Sequence, residues 1–143
     1  MEPGRSIVAD AGMTLYSVTS IKKIPGFKNY VAINGGMTDN PRYTLYQSSY
    51  TVLPADRMNE ARESLFTIAG CCCESGDLIQ ENVPLPEPKR GDLIAVLTTG
   101  AYNYSMASNY TRVPRPPIVM IGDNGPYVAV RRETYEDIVA YDL

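Results

Sequence analysis

The stretch "MTLYSVTSIKKIPGFKNYVAING", residues 13 to 35, decides the fold class. From Met13 to Ile24 the side chains alternate in character and are rich in β-branched types, the signature of a half-buried strand. "PGFKN" then supplies turn chemistry, since proline fixes φ and glycine tolerates the reversal. "YVAING" resumes as a second strand, so the segment reads as a hairpin. Working outward, the same pattern recurs. "YTVLPA" (50–55), "SLFTIAGCCC" (64–73) and "LIAVLTTG" (93–100) read as strands, the last of them continuous, apolar and central. "RPPIVMIGDNGPYVAVRRE" (115–133) is strand, "DNG" turn and strand. "ENVPLPEPKRGD" (81–92) carries three prolines and reads as an extended loop.

Helical signals are short. "SIVADAG" (6–12) offers Ser6 as an N-cap and Gly12 as a stop. Asn40-Pro41 opens a turn after which Arg42 and Tyr46, four apart, share one helical face. "TYEDIVAYD" (134–142) places Asp137 three residues after Thr134, a capping box. The sum is one mainly β domain, a β-sandwich or Greek-key barrel with two or three short helices.

Composition narrows the function. The 143 residues carry a formal net charge of −3, which gives no basic footprint for nucleic acid. No apolar run is long enough to span a bilayer, and the first residues lack signal-peptide character, so a cytoplasmic protein without membrane or nucleic-acid partners is expected. There is no histidine, which removes imidazole from any mechanism of this chain. The three cysteines are consecutive, Cys71, Cys72 and Cys73. Adjacent cysteines cannot all face one ion, and no distant partner exists for a disulfide, so neither a metal nor a bridge is expected.

Four segments are unusual for a plain β scaffold: "EPGRS" (2–6), "NPRYTLY" (40–46), "CESGD" (73–77) and "TGAYNYSMASNY" (99–110). From residue types alone, Arg5 is as readily a surface arginine in a tight turn. Arg42 with Tyr46 is as readily a surface stack, and Tyr102 is one of 11 tyrosines. Taken together and in order, the segments resemble the diaminopimelate decarboxylase family, within the alanine-racemase-like and ornithine-decarboxylase-like superfamily of pyridoxal-phosphate enzymes. The resemblance, in which "EPGRS", "CESGD", "LPEPKRGD" (85–92) and "GAY…S…NY" match in order and rough spacing, covers nearly the whole chain and corresponds to the C-terminal part of such enzymes.

That resemblance implies much more than the composition does. It implies decarboxylation of meso-2,6-diaminopimelate to L-lysine and CO2, in lysine biosynthesis, with pyridoxal 5'-phosphate as cofactor. It implies an N-terminal (β/α)8 barrel carrying the lysine that binds the cofactor covalently. Lys22, Lys23, Lys28 and Lys89 match no such motif, so this chain alone is expected to be inactive. Residues 1–12 are expected to be a remnant of the last barrel strand or helix, and residues 13–143 the C-terminal β domain. By resemblance Glu2 faces the pyridine nitrogen, Arg5 and Tyr102 meet cofactor phosphate and substrate, and Arg42 and Tyr46 clamp a substrate carboxylate. Glu74, with Ser75, receives the distal ammonium. Cys73 is the general acid, delivered with Glu74 across a homodimer interface. Cys71 and Cys72 are expected to be small buried residues that finish a strand, and Asp77 to hold a turn. Decarboxylases for carboxynorspermidine, ornithine or arginine, and a non-catalytic dimerisation module, are the other readings.

Overall fold

The structure, a computed structural model, describes residues 3–143. Six strands form one sheet in the spatial order β3-β6-β1-β2-β4-β5: β1 Met13–Lys23, β2 Asn29–Ile33, β3 Val52–Pro54, β4 Ser64–Ala69, β5 Leu78–Leu85 and β6 Leu93–Leu97. The edge strands β3 and β5 curl toward contact, so the sheet is a nearly closed, barrel-like body. The expected mainly β barrel is what forms.

β1 is the strand that makes the curl possible. Its first half pairs antiparallel with β6, from Met13 to Ser17, and its second half with β2, from Val18 to Lys23. A register shift between Val18 and Ser20 falls at the start of the second ladder, just after the two meet. An irregularity of this kind bends and twists a strand, which lets one long strand serve both halves of a barrel. Tyr16 and Val18 point inward and join Val31, Ile33, Tyr50, Val52, Phe66, Ile68, Ile79, Val83, Leu85, Ile94 and Val96 in a single core. At about 1.5–3 kcal/mol per large apolar side chain, this cluster is the main stabilising term.

β2 and β4 are parallel neighbours. Parallel strands cannot be joined by a tight turn, so the chain must make a long excursion between them. That excursion, residues 34–63, carries the helix α1 Arg42–Tyr46 and strand β3. Topology therefore requires the long connection on which Arg42 and Tyr46 stand.

Three expectations need correction. The proline-rich stretch 81–92 is not all loop, because β5 runs to Leu85. Ile79, Val83 and Leu85 alternate inward, and Pro84 is tolerated because β5 is an edge strand that need not donate there. β4 stops at Ala69, so Cys71 and Cys72 do not finish it: Cys71 is exposed and Cys72 half-buried, in a series of bends. The third concerns the first helical turns. Arg5–Val8 and a 3-10 turn Ala9–Ala11 do form, but the cap position is Gly4, not Ser6, and no side chain caps it. This segment is tied to the sheet by Gly100 N–H donating to Ala9 O at 2.9 Å and Thr99 N–H to Gly12 O at 3.0 Å.

Beyond the barrel lie a short helix α2 Asn103–Met106, a hairpin of β7 Ile118–Gly122 and β8 Gly125–Val130, and a final helix α3 Tyr135–Ile138. The capping box of α3 is present as expected, with Thr134 and Asp137 exchanging hydrogen bonds.

Candidate functional site

Two buried carboxylates organise the loops. Asp77, 2% exposed, accepts hydrogen bonds from Met37 N–H at 2.6 Å and Cys72 N–H at 2.7 Å, while its backbone oxygen accepts from Gly70 N–H at 2.8 Å. A Cβ on Gly36 or Gly70 would collide with this carboxylate, so both positions require glycine. Asp39 accepts from the Tyr16 hydroxyl and from Gly36 N–H at 2.8 Å. Burial pushes the Asp39 carboxyl above the ordinary carboxylate range, against the pull of its hydrogen bonds. Burial, and then the nearby Asp39 charge, push the Tyr16 phenol well above its usual value. The expected turn-holding role of Asp77 is thus wider: it joins the loop after β2 to the cysteine loop after β4.

α1 springs from the first of these loops. Its Thr44 hydroxyl donates to Gly76 O at 2.6 Å, which lays the helix against the "CESGD" turn. The buried Tyr43 donates to Glu81 at 2.9 Å and anchors the helix to β5. Arg42 then projects between two aromatic rings, 5.1 Å from the Tyr46 centroid and 5.5 Å from that of Tyr102. A guanidinium over ring faces is held without being neutralised. Its Nη1 lies 3.8 Å from Met106 Sδ, and its Nε is buried without a hydrogen-bond partner.

Tyr102 links this cluster to the first turn of the chain. It occupies a left-handed backbone conformation, φ 71°, which is strained for a tyrosine. Its hydroxyl sits where a Cβ of residue 4 would be, so Gly4 is required there. Next to Gly4, the Arg5 guanidinium lies 5.8 Å from the Tyr50 ring. Arg42, Tyr46 and Tyr102 therefore form one connected set, and Tyr102 reaches Gly4, the chain neighbour of Arg5. Glu2 lies outside the described residues.

The cysteine loop is the second cluster. Cys71 N–H donates to Gly35 O at 2.9 Å, and the Cys72 thiol lies 3.7 Å from the Thr111 hydroxyl. Burial pushes the Cys71 thiol up and that of Cys72 to about 11. Cys73, Glu74 and Ser75 are exposed at the loop tip. The Tyr110 hydroxyl donates to Glu74 Oε1. Tyr110 and Thr44 were not singled out from the sequence. Among 11 tyrosines nothing local marks Tyr110, whereas Thr44 shares the α1 turn with Arg42 and could have been read with it.

The fold and these clusters define a β domain that presents an arginine fork and a thiol–carboxylate pair on loops in mutual contact. Residues 6–100 match the family described as pyridoxal-dependent decarboxylase, C-terminal sheet domain. The chain belongs to that family. It is 54% identical, over its whole length, to the diaminopimelate decarboxylase of Bacillus subtilis and covers 33% of that protein. It is 45% identical, over 99% of its length, to the Synechocystis diaminopimelate decarboxylase, of which it covers 30%. The chain thus spans about a third of the length of the curated relatives it matches. A crystal structure of diaminopimelate decarboxylase from M. jannaschii in complex with L-lysine superposes with a TM-score of 0.92 at 37% identity, over 99% of this chain and 32% of that one. A lysine/ornithine decarboxylase from Vibrio vulnificus complexed with putrescine matches less well, with a TM-score of 0.68 at 26% identity over 80% of this chain and 30% of that one.

The family's cofactor carries a phosphate, and the residues present fit it. Arg5 offers a planar fork of donors, and Tyr102 brings a phenolic hydroxyl against the bare backbone of the neighbouring Gly4.

Proposed function

We propose that this chain is the C-terminal sheet domain of a cytoplasmic diaminopimelate decarboxylase, which converts meso-2,6-diaminopimelate to L-lysine and CO2. A (β/α)8 barrel outside residues 13–143 supplies the cofactor lysine, and residues 1–12 are its junction with the β domain. The active enzyme is a homodimer in which Cys73 and Glu74 of one subunit serve the cofactor held by the other. The exposed apolar side chains of β7 and β8, among them Ile121 and Val128, suit a surface that a further domain covers.

When bound, pyridoxal phosphate supplies the electron sink for the pair left at the α-carbon as CO2 departs. The residues of this chain do the rest. Arg5 and Tyr102 hold phosphate through charge-assisted and hydroxyl donors. Arg42, with Tyr46, binds the carboxylate at the end of the substrate that does not react. Glu74 receives the ammonium at that same end, aided by Ser75. Cys73 gives its proton to the α-carbon after CO2 has left, completing the replacement of carboxylate by hydrogen.

The observation that carries this reading is Arg42, half-exposed between two aromatic rings and in no ion pair among the described residues. A cation held in this way is open to a carboxylate.

The test is CO2 release from meso-diaminopimelate by the full-length enzyme. Cys73→Ala should lower kcat by roughly 100-fold or more, the range for loss of a general acid. Cys72→Ala should stay within about twofold, because its thiol only packs against Thr111. Equal losses in the two variants would remove Cys73 from the proton step. Ornithine turned over as well as diaminopimelate would sink the substrate assignment.

A further inference from the structure

We propose that Tyr110 is a positioning residue for the substrate's distal ammonium, acting by holding the Glu74 carboxylate in place. The inference rests on the reading of Glu74 given above, and it adds a residue that the reading does not contain.

The Tyr110 hydroxyl donates to Glu74 Oε1 from 36 residues away, which leaves Oε2 for another partner. Glu74 stands on an exposed loop tip and has three rotatable side-chain bonds. Left alone it would sample many positions, and binding a cation would require ordering it first. A lysine or arginine could order it too, but either would cancel the charge that the ammonium needs. A phenol orients the carboxylate and leaves its charge intact. The hydrogen bond to Glu74 raises the Tyr110 phenol above its ordinary value, so it remains a donor throughout the neutral range.

The backbone around Tyr110 carries a second, independent observation. Thr111 and Arg112 both lie in the left-handed region, with φ of 54° and 60°, an unfavourable pairing for two residues that are not glycine. Such strain persists only where neighbours over-determine it, and here they do. Asn109 donates to Glu133 at 2.6 Å and to Val113 O at 3.1 Å, Arg112 pairs with Asp142 at 2.8 Å, and Thr111 meets the Cys72 thiol. The strained turn is clamped on both sides, and it aims Tyr110 at the loop. With Asp77 holding the Cys72 amide from beneath, the Cys72–Glu74 loop is gripped from two directions.

The experiment is a double-mutant cycle on the full-length enzyme, using Tyr110→Phe, Glu74→Gln and the pair. Tyr110 is 45% exposed, so removing one oxygen leaves packing intact. Because the contact orders a group that binds the non-reacting end, its loss should raise KM for diaminopimelate by about tenfold with kcat within about twofold. In the Glu74→Gln background, Tyr110→Phe should add almost nothing. Discrimination against 2-aminopimelate, which lacks the distal amino group, should shrink by a similar factor in Tyr110→Phe. A readout independent of activity is the titration of Tyr110, followed by NMR with 13C at tyrosine Cζ, which should shift downward in Glu74→Gln.

The outcomes separate the two ideas. If Glu74→Gln raises KM and Tyr110→Phe does not, positioning by Tyr110 is wrong while the Glu74 assignment stands. If Glu74→Gln leaves KM unchanged, the Glu74 assignment falls and the inference with it. Additive effects, or an unshifted Tyr110 titration, overturn the contact itself.

Discussion

Asp77 is buried to 2% exposure yet belongs to no ion pair among the described residues. Its charge is met by dipoles: two backbone N–H groups, from Met37 and Cys72, aim at its carboxylate. Removing a buried acceptor leaves such donors stranded, at roughly 1–3 kcal/mol each. Asp77→Ala should therefore destabilise the fold by about 3–5 kcal/mol, read from the denaturant midpoint. Asp77→Asn keeps one acceptor and turns an amide toward the other N–H, so it should lose about half as much. An alanine variant within 1 kcal/mol of the parent, an allowance set by ordinary surface changes, would mean that the two loops hold their own geometry. The three cysteines show the same economy of local causes. They differ in environment although they are adjacent, because bends rather than a strand present them to solvent.

At the scale of elements, the four-residue helix α3 is too short to persist on propensity. It is held by its cap. Thr134 N–H donates to Asp137 Oδ2 at 2.8 Å, Asp137 N–H returns a bond to Thr134 Oγ1 at 3.2 Å, and Arg131 grips Asp137 through Nη1 and Nη2. Arg131, and then the Thr134 amide, hold the Asp137 carboxyl well below its usual 3.8. A carboxyl depressed in the folded state stabilises fully above its unfolded value, and that contribution is lost as pH falls through the folded one. Amide-exchange protection of residues 135–138 should thus be constant from neutral pH down to about 4 and decline below it. Thr134→Ala should reduce it at all pH values by an amount equivalent to about 1 kcal/mol. Constant protection down to the lowest pH, or none at any pH, would deny the cap this role. The Thr134–Asp137 spacing was legible in the sequence because a capping box is local, as was the β1–β2 hairpin around "PGFKN". β5 was misread because three prolines outweighed the alternation of Ile79, Val83 and Leu85, and an edge position cannot be seen without the sheet. Arg42 and Tyr46 were legible as a pair four apart. That Tyr102 completes their stack, and that Tyr110 reaches Glu74, depends on contacts between distant segments, which no local pattern encodes.

For the whole molecule, the decisive fact is that one core serves every loop of the site. Five of the six barrel strands send side chains into it beside Phe66, which is 1% exposed, and the sixth, β3, adds Val52. Such a body should open as a unit. The β7–β8 hairpin is different: it forms its own two-stranded sheet, and Val119, Ile121, Tyr127 and Val128 are all more than half exposed. A two-stranded ribbon with little buried apolar area is marginal by itself. Phe66→Ala should cost about 3–5 kcal/mol, the range for deleting a buried aromatic ring. Measured by native-state hydrogen exchange, that loss should appear equally in β1, β2, β4, β5 and β6. The amides of β7 and β8 should exchange faster than these in the parent and change little in the variant, since their opening does not pass through the core. Where a further domain covers the hairpin, its protection should rise while its indifference to Phe66 remains. A loss confined to β4 and its neighbours would show that the barrel is two loosely joined halves on either side of the β1 irregularity. The grip on Arg42, carried by the β2–β4 excursion, would then be mechanically separate from the turn at the end of β6 that carries Tyr102.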